Sequence, residues 1–386
     1  MKGLEVITPA HAEAWRAVLD RTGGYDVYHL PEYHALAEAM GEGTAYLFAY
    51  QEGDFTIALP LLLRAVDRVS GLESAGAGWF DATSVYGYAG PACSHNAIPA
   101  SVVERFQAAL RTALRDRRVV GVFSRLHPLL EQAAPLAGLG EHAVLWQTVS
   151  IDLTLPPEAQ FARYRKNHRE GIGKLVRKGL TVVHDTTWRY ADVFQKIYHE
   201  TMRRVGASPA YFFPPEYFAR LRELLAGHVH LFAVLLEDRP ICAALMFENQ
   251  GIVQYHLSGT CDTARKLSPV KLLLDGVRQW GNGRGKRFFH LGGGMTPKPD
   301  DPLLHFKMGF SDRAHDFAVW RWIIMPDAYR DLCAVKHNWN AAQGLCSTTN
   351  DYFPLYRGSA APRVGASGAA DPVALMPARE LTEAHS

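Results

Sequence analysis

The chain repeats itself. Residues 31–61 align without a gap onto residues 215–245, at a constant offset of 184. Pro31, Glu32, Tyr33, Ala35, Gly43, Leu47, Phe48, Ala49, Asp54, Ile57 and Leu61 all recur at that spacing, where background usage gives roughly two matches in such a window. A chain that carries such a duplication is expected to fold as two like halves. Each copy opens on Pro-Glu-Tyr, a helix start with proline in the first turn, and continues as two apolar runs hinged at Glu52-Gly53-Asp54 or at Glu237-Asp238-Arg239-Pro240. Because the offset is even, matched strand residues are expected to keep the same face of their sheets.

In the second half the pattern goes on with a strand over 251–260, the polar loop Cys-Asp-Thr-Ala-Arg-Lys-Leu-Ser-Pro, a helix over 270–281 and a strand over 287–291. Helix, hairpin, strand, loop, helix, strand is an order that resembles the fold of the Gcn5-related N-acetyltransferases. The expected fold class is α+β: two tandem acetyltransferase-like domains, each a mixed, mostly antiparallel sheet flanked by helices. The first is expected over 1–155 and the second over 156–345, introduced by a basic helix. Residues 346–386 form a C-terminal segment, expected to be disordered after about 357, where Ala, Gly and Pro dominate.

Composition narrows the rest. With 48% apolar and 21% charged residues the chain is of ordinary globular type. The densest apolar run, Ile57 to Leu63, is short and broken by Pro60, so no transmembrane segment is expected. The N-terminus carries no apolar leader, and the expected compartment is the cytoplasm. Five scattered cysteines without a CxxC pair predict reduced core thiols and no metal site. A net charge of +2 means that any polyanion site is local.

Three pieces carry a further resemblance. They are Asp-Ala-Thr-Ser-Val-Tyr-Gly-Tyr-Ala-Gly-Pro (81–91); the basic segment 161–183 followed by Tyr-His-Glu-Thr-Met-Arg-Arg-Val-Gly-Ala (198–207); and His-Phe-Lys-Met-Gly-Phe (305–310) after the glycines of 292–294. Over about residues 10–345 the chain resembles the Fem-like aminoacyltransferases and their wider acyltransferase relatives. That resemblance implies an oxyanion role for the Phe306-Lys307 pair. It implies substrate-binding groups in the 81–91 loop, contact of Arg204, or the adjacent Arg203, with the diphosphate of a nucleotide-linked acceptor, and a place for Tyr255 near the acceptor.

Read as chemistry, Lys307 lies between Phe306 and Met308, where a desolvated ammonium is costly without a purpose. Acyl transfer to an amine passes through a tetrahedral oxyanion that a fixed cation stabilises; the competing reading is a lysine whose stem packs while its head reaches water. Asp81, beside Tyr86 and Tyr88 in a loop broken by glycines, suits a general base for the attacking amine, or else a turn cap with packed phenols. The Tyr255 phenol can donate to a leaving oxygen, whereas His256 and His290 read as core histidines. Arg163, Lys166, Arg169 and Lys174 belong to the densest charge run, residues 163–178, which suits phosphates of tRNA or of a nucleotide, or is a solvated helix face. Helical spacing puts Lys166, Glu170 and Lys174 on one side and Phe161, Tyr164, Ile172 and Val176 on the other.

The donor follows from a missing motif. A coenzyme A enzyme of this fold carries a glycine-rich turn before the helix at 270, and here that turn has no glycine; the Arg278…Gly281…Gly283 match lies at a helix end, where the glycines read as C-terminal punctuation. The first expectation is therefore an aminoacyltransferase that moves an amino acid from aminoacyl-tRNA onto an amine acceptor: a cell-wall precursor, an amino sugar or a small metabolite. No further cofactor is expected. The alternatives are an acyl-CoA dependent N-acyltransferase acting on an amino sugar, and a non-catalytic protein that binds a nucleotide-sugar or RNA. Oligomeric state is not legible.

Overall fold

The computed structural model describes residues 3–130, 133–296, 298, 300–347 and 352–362. It divides into two compact units, one made of the chain up to Val144 and from Ala318 onward, the other of Leu145–Phe317.

The first unit contains β1 (Gly3–Ile7), α1 (Ala12–Leu19), α2 (Pro31–Ala39), β2 (Thr44–Glu52), β3 (Phe55–Ala65), β4 (Phe80–Thr83), β5 (Ala92–Cys93), α3 (Ala100–Asp116) and β6 (Val119–Arg125). The chain continues through β7 (Glu141–Asp152) into the second unit, with α4 (Pro157–Ala162), α5 (Lys166–Arg177), β8 (Thr181–His184), α6 (Ala191–Arg204) and α7 (Pro215–Leu224). There follow β9 (Val229–Leu236), β10 (Arg239–Asn249), β11 (Ile252–Thr260), α8 (Val270–Gly283), β12 (Phe288–Gly293) and α9 (Pro302–Lys307). Strand β13 (Ala314–Ile323) leads back to α10 (Pro326–Ala342), β14 (Leu345–Ser347) and β15 (Ala360–Pro362).

The strand order is β1-β2-β3-β4-β6-β13 in the first unit and β8-β9-β10-β11-β12-β7 in the second. In both, four strands run as antiparallel neighbours, a parallel pair follows, and an antiparallel strand closes the set. A parallel pair needs a long crossover, which α3 supplies for β4/β6 and α8 for β11/β12. Each crossover helix buries one apolar stripe on its sheet: Val102, Phe106, Leu110 and Leu114 in α3, Leu273, Leu274 and Val277 in α8.

The repeat is real in three dimensions. Helices α2 and α7 begin at Pro31 and Pro215, and β3 and β10 share length and offset. The expectation about faces holds only in part. Phe48 and Phe232 both enter their cores. At the hairpin turns, Phe55 pairs Glu52 as Arg239 pairs Leu236, but β10 then takes a one-residue bulge between Pro240 and Cys242. Beyond it the core face is Cys242, Ala244 and Met246, whereas β3 turns Leu59, Leu61 and Leu63 inward. An inserted residue exchanges the faces of everything after it, so the match of Leu61 with Leu245 is one of sequence and not of environment.

The domain boundaries also differ from the sequence reading. β7 follows β6 in the chain yet pairs with β12, and β13 follows β12 yet pairs with β6. Each unit is thus closed by a strand that comes after the other's in sequence, and Ala318 to Ala342 pack with the first unit rather than the second. Nor is the chain without structure after 357, because Ala360–Pro362 pair with Leu345–Ser347; the rest of that expectation lies outside the described residues. Of the five free thiols only Cys242 is in the core, and Cys346 is exposed. No helix among the described residues is long and apolar enough to cross a membrane.

Candidate functional site

The second unit contains an opening built into its sheet. The parallel strands β11 and β12 are paired from Ile252–Phe288 to Gln254–His290 and no further, although β11 runs on to Thr260 and β12 to Gly293. β11 carries an extra residue at His256, since Leu245 faces Leu257 and Met246 faces Tyr255. Such a bulge re-aims the side chains beside it.

Lys307 lies across this opening. It ends α9, is 1% exposed, and its Nζ donates to the Gly293 carbonyl at 2.8 Å. The Tyr255 ring of β11 stands 5.7 Å from Nζ, and the Tyr255 hydroxyl is hydrogen-bonded to Ser258 Oγ. One side chain therefore bonds β12 and faces the Tyr255 ring of β11 beyond the point where the strands part. The reading in which Lys307 reaches water is excluded by its burial.

The six-residue helix that carries Lys307 is too short to be stable alone and is held at both ends. Asp301 caps its start, Oδ1 accepting the Leu303 and Leu304 amides at 2.9 Å each. Its end is bound by the basic segment: Arg165 Nη1 donates to His305 O at 3.1 Å, Arg165 N to Gly309 O at 2.8 Å, and His168 Nε2 to Phe306 O at 3.1 Å. Burial, then the charge of Lys271, pulls the His168 pKa down to about 4, so the ring is neutral and serves as a structural donor. A Cβ on Gly309 would lie inside this imidazole, which accounts for the glycine of Lys-Met-Gly-Phe. Phe306 packs tilted against His168 at 5.2 Å and edge-on against Phe310 at 5.5 Å.

The glycines at 292–294 have separate reasons. Gly292 takes φ +77°, a Cβ on Gly293 would lie 2.6 Å from Trp146 Nε1, and one on Gly294 would lie 2.5 Å from Asp301 Oδ1.

The remaining expected site residues fall in several places. Arg163, Lys166 and Lys174 are exposed, whereas Arg169 bonds the carbonyls of Ala162 and Tyr164 at the end of α4. The predicted faces of the basic helix hold for Tyr164 and Ile172 but not for Val176, which is 55% exposed; Leu175 takes the buried position instead. Arg204 is engaged by Asp262, by Thr260 O at 3.2 Å and by Thr201 Oγ1 at 3.1 Å, fastening α6 to the end of β11, while Arg203 is exposed.

Asp81, Tyr86 and Tyr88 belong to the first unit. Asp81 is in β4 rather than in the following loop and is fully buried. Its Oδ1 accepts from Arg64 Nε at 2.7 Å, and Oδ2 accepts from Arg357 Nε at 2.5 Å and from the Tyr356 hydroxyl at 3.3 Å. Burial and the Asp81 charge raise the Tyr356 pKa, so its phenol remains a donor. A carboxylate clasped this way ties the C-terminal segment to the sheet through Tyr356 and Arg357, which lie just before the stretch expected to be disordered. Tyr88 packs edge-on against Tyr28 at 5.7 Å and His127 at 5.9 Å, and Tyr86 is half-buried.

Gly281 and Gly283 lie within α8, not beyond its end. A Cβ on Gly281 would stand 2.9 Å from Leu153, so that glycine serves close packing; the left-handed residue after the helix is Gly285, at φ +65°.

The family described as an acetyltransferase (GNAT) domain matches residues 162–307, a span that ends on Lys307. No curated protein matches the chain in sequence. Among solved structures, that of FemX is similar at 13% identity and TM-score 0.65, covering 85% of this chain and 98% of that one. A conserved protein of unknown function from Bacteroides thetaiotaomicron is similar at 9% identity and TM-score 0.52, covering 83% and 100%. Residues 162–307 thus match an acetyltransferase (GNAT) domain, and the chain as a whole shares the fold of FemX.

Proposed function

We propose that the protein forms an amide by moving an aminoacyl group from aminoacyl-tRNA to an amine acceptor, with Lys307 at the reacting carbonyl. The observation that carries this reading is a buried lysine spanning β11 and β12 where the two strands separate. The acceptor nitrogen attacks the ester carbonyl carbon and the C–N bond forms. Negative charge develops on the carbonyl oxygen beside Lys307 Nζ, where a fixed donor contributes about 3 kcal/mol. Collapse breaks the C–O bond to the ribose, and the amine proton leaves with the departing oxygen.

Two further features support a tRNA ester over a coenzyme A thioester. The first amides of α8 are spent within their own turn, Lys271 N on Ser268 O at 3.1 Å and the Leu272 and Leu273 amides on Pro269 O at 3.0 and 3.1 Å, in a turn that has no glycine for close approach of a diphosphate. The exposed Arg163, Lys166 and Lys174 offer phosphate contacts on the same unit.

The test offers the purified protein a pool of charged tRNAs and, separately, acyl-CoAs, each with a metabolite extract, and follows discharge of the donor. Discharge of the tRNA pool is expected, with Lys307→Ala lowering kcat by about 10²–10³. Release of free coenzyme A alone would make the acyl-CoA reading correct.

A further inference from the structure

We propose that Asp301 is a positioning residue of the acyl-transfer centre, holding the Lys307 helix and the end of β12 on one carboxylate. The inference rests on the Lys307 reading above. Asp301 is 2% exposed, and its two oxygens serve different segments. Oδ1 accepts the Leu303 and Leu304 amides, which fixes the first turn of α9. Oδ2 accepts the Met295 amide at 2.9 Å, the Thr296 amide at 2.8 Å and the Thr296 hydroxyl at 3.0 Å. Those donors begin two residues after Gly293, whose carbonyl receives Lys307 Nζ.

The geometry makes a closed loop of constraints. Lys307 is joined to Asp301 through one turn and a half of helix, Asp301 to residues 295 and 296 through Oδ2, and the chain from 295 back to Gly293 through Gly294. Gly294 has no room for a side chain because a Cβ would press on Oδ1. With five N–H and O–H donors already on it, the carboxylate has the partners of a structural acceptor rather than of a base. Its function is to keep Nζ in register with the gap between the strands, where a displacement on the order of 1 Å costs about 10²-fold in rate.

Asp301→Asn separates the two duties. An asparagine caps a helix about as well as an aspartate, but it cannot accept from both segments, because its amide nitrogen only donates. Turnover is read as discharge of pooled aminoacyl-tRNA in the presence of metabolite extract, beside thermal unfolding of each variant. We expect Asp301→Asn to lower kcat by about 10–100-fold with KM for the donor changed less than about threefold. On a Lys307→Ala background it is expected to add less than about twofold, since a residue acting only through Lys307 has nothing left to position. Gly294→Ala, which disturbs the same carboxylate from the other side, is expected to lower kcat in the same way and decides the matter if Asp301→Asn does not fold. Wild-type turnover in Gly294→Ala and Asp301→Asn, or a full additive loss in the double variant, overturns the role of Asp301 while leaving Lys307 in place. Wild-type turnover in Lys307→Ala removes the underlying reading, and this one with it.

Discussion

Lysine and aspartate are both charged, and at two positions of this chain burial decides what the charge is for. Lys307 and Asp81 are each nearly or wholly removed from water, and an ion in that condition survives only with partners. Asp81 has two arginines and a phenol around it. We expect Asp81→Ala to lower stability by about 3–5 kcal/mol, because it leaves two guanidinium groups facing a vacated site; urea unfolding measures this. Turnover per folded molecule is expected to stay within about twofold of wild type, the comparison scale being the 10²-fold or greater contribution of a general base. A variant as stable as wild type with turnover lost would restore Asp81 as the base. Sequence could place an acid next to tyrosines, but its arginine partners lie 17 positions before it and 276 after it, and no local pattern discloses such a pairing. Asp301, by contrast, was missed although its signal is local: an aspartate directly before a proline is the signature of a helix cap followed by the first helical residue.

At the level of elements, the duplicated unit was legible because its signals are local. Proline in the first turn, apolar runs of strand length and acidic hinges are each contained within a few residues. The bulge after Pro240 was not, since an extra residue in one strand is defined only by the register of its neighbour. Close approach between elements is similarly hidden. Helix α6 crosses β11 at Gly259, where a Cβ would lie 2.7 Å from the backbone of Ile197, and beside it Thr260 N donates to Thr201 Oγ1 at 3.1 Å. Backbone cannot swing aside as a flexible side chain can, so Gly259→Ala is expected to cost about 1–3 kcal/mol through overpacking. Thermal unfolding checks this, and an unchanged melting temperature would show that α6 is not seated on β11 as described. Gly283, on the same crossover helix as Gly281, faces open space, and Gly283→Ala serves as the control: it is expected to be neutral or slightly stabilising.

The whole molecule is two like units whose closing strands are exchanged along the sequence. A cut chosen from the repeat alone, between 155 and 156, separates β7 from the β12 it pairs with and β6 from β13. Both fragments would then carry an open strand edge, a template for aggregation. We expect residues 156–317 expressed alone to aggregate or unfold without cooperativity, whereas 145–317, which keeps most of β7, shows a single cooperative transition. Circular dichroism with light scattering distinguishes the two, and a soluble, cooperatively folded 156–317 would contradict the role given to β7.

By itself the sequence determined that there are two halves and that each is a helix-and-sheet unit, because duplication, periodicity and short motifs are written in neighbouring residues. Tertiary structure alone decided that Asp81 is held by Arg64, Arg357 and Tyr356, that Arg204 is held by Asp262, that β7 and β13 change partners, and that Lys307 lies across a parted strand pair. Those facts depend on contacts between residues far apart in the chain, and a desolvated charge takes its function from the partners that folding brings to it.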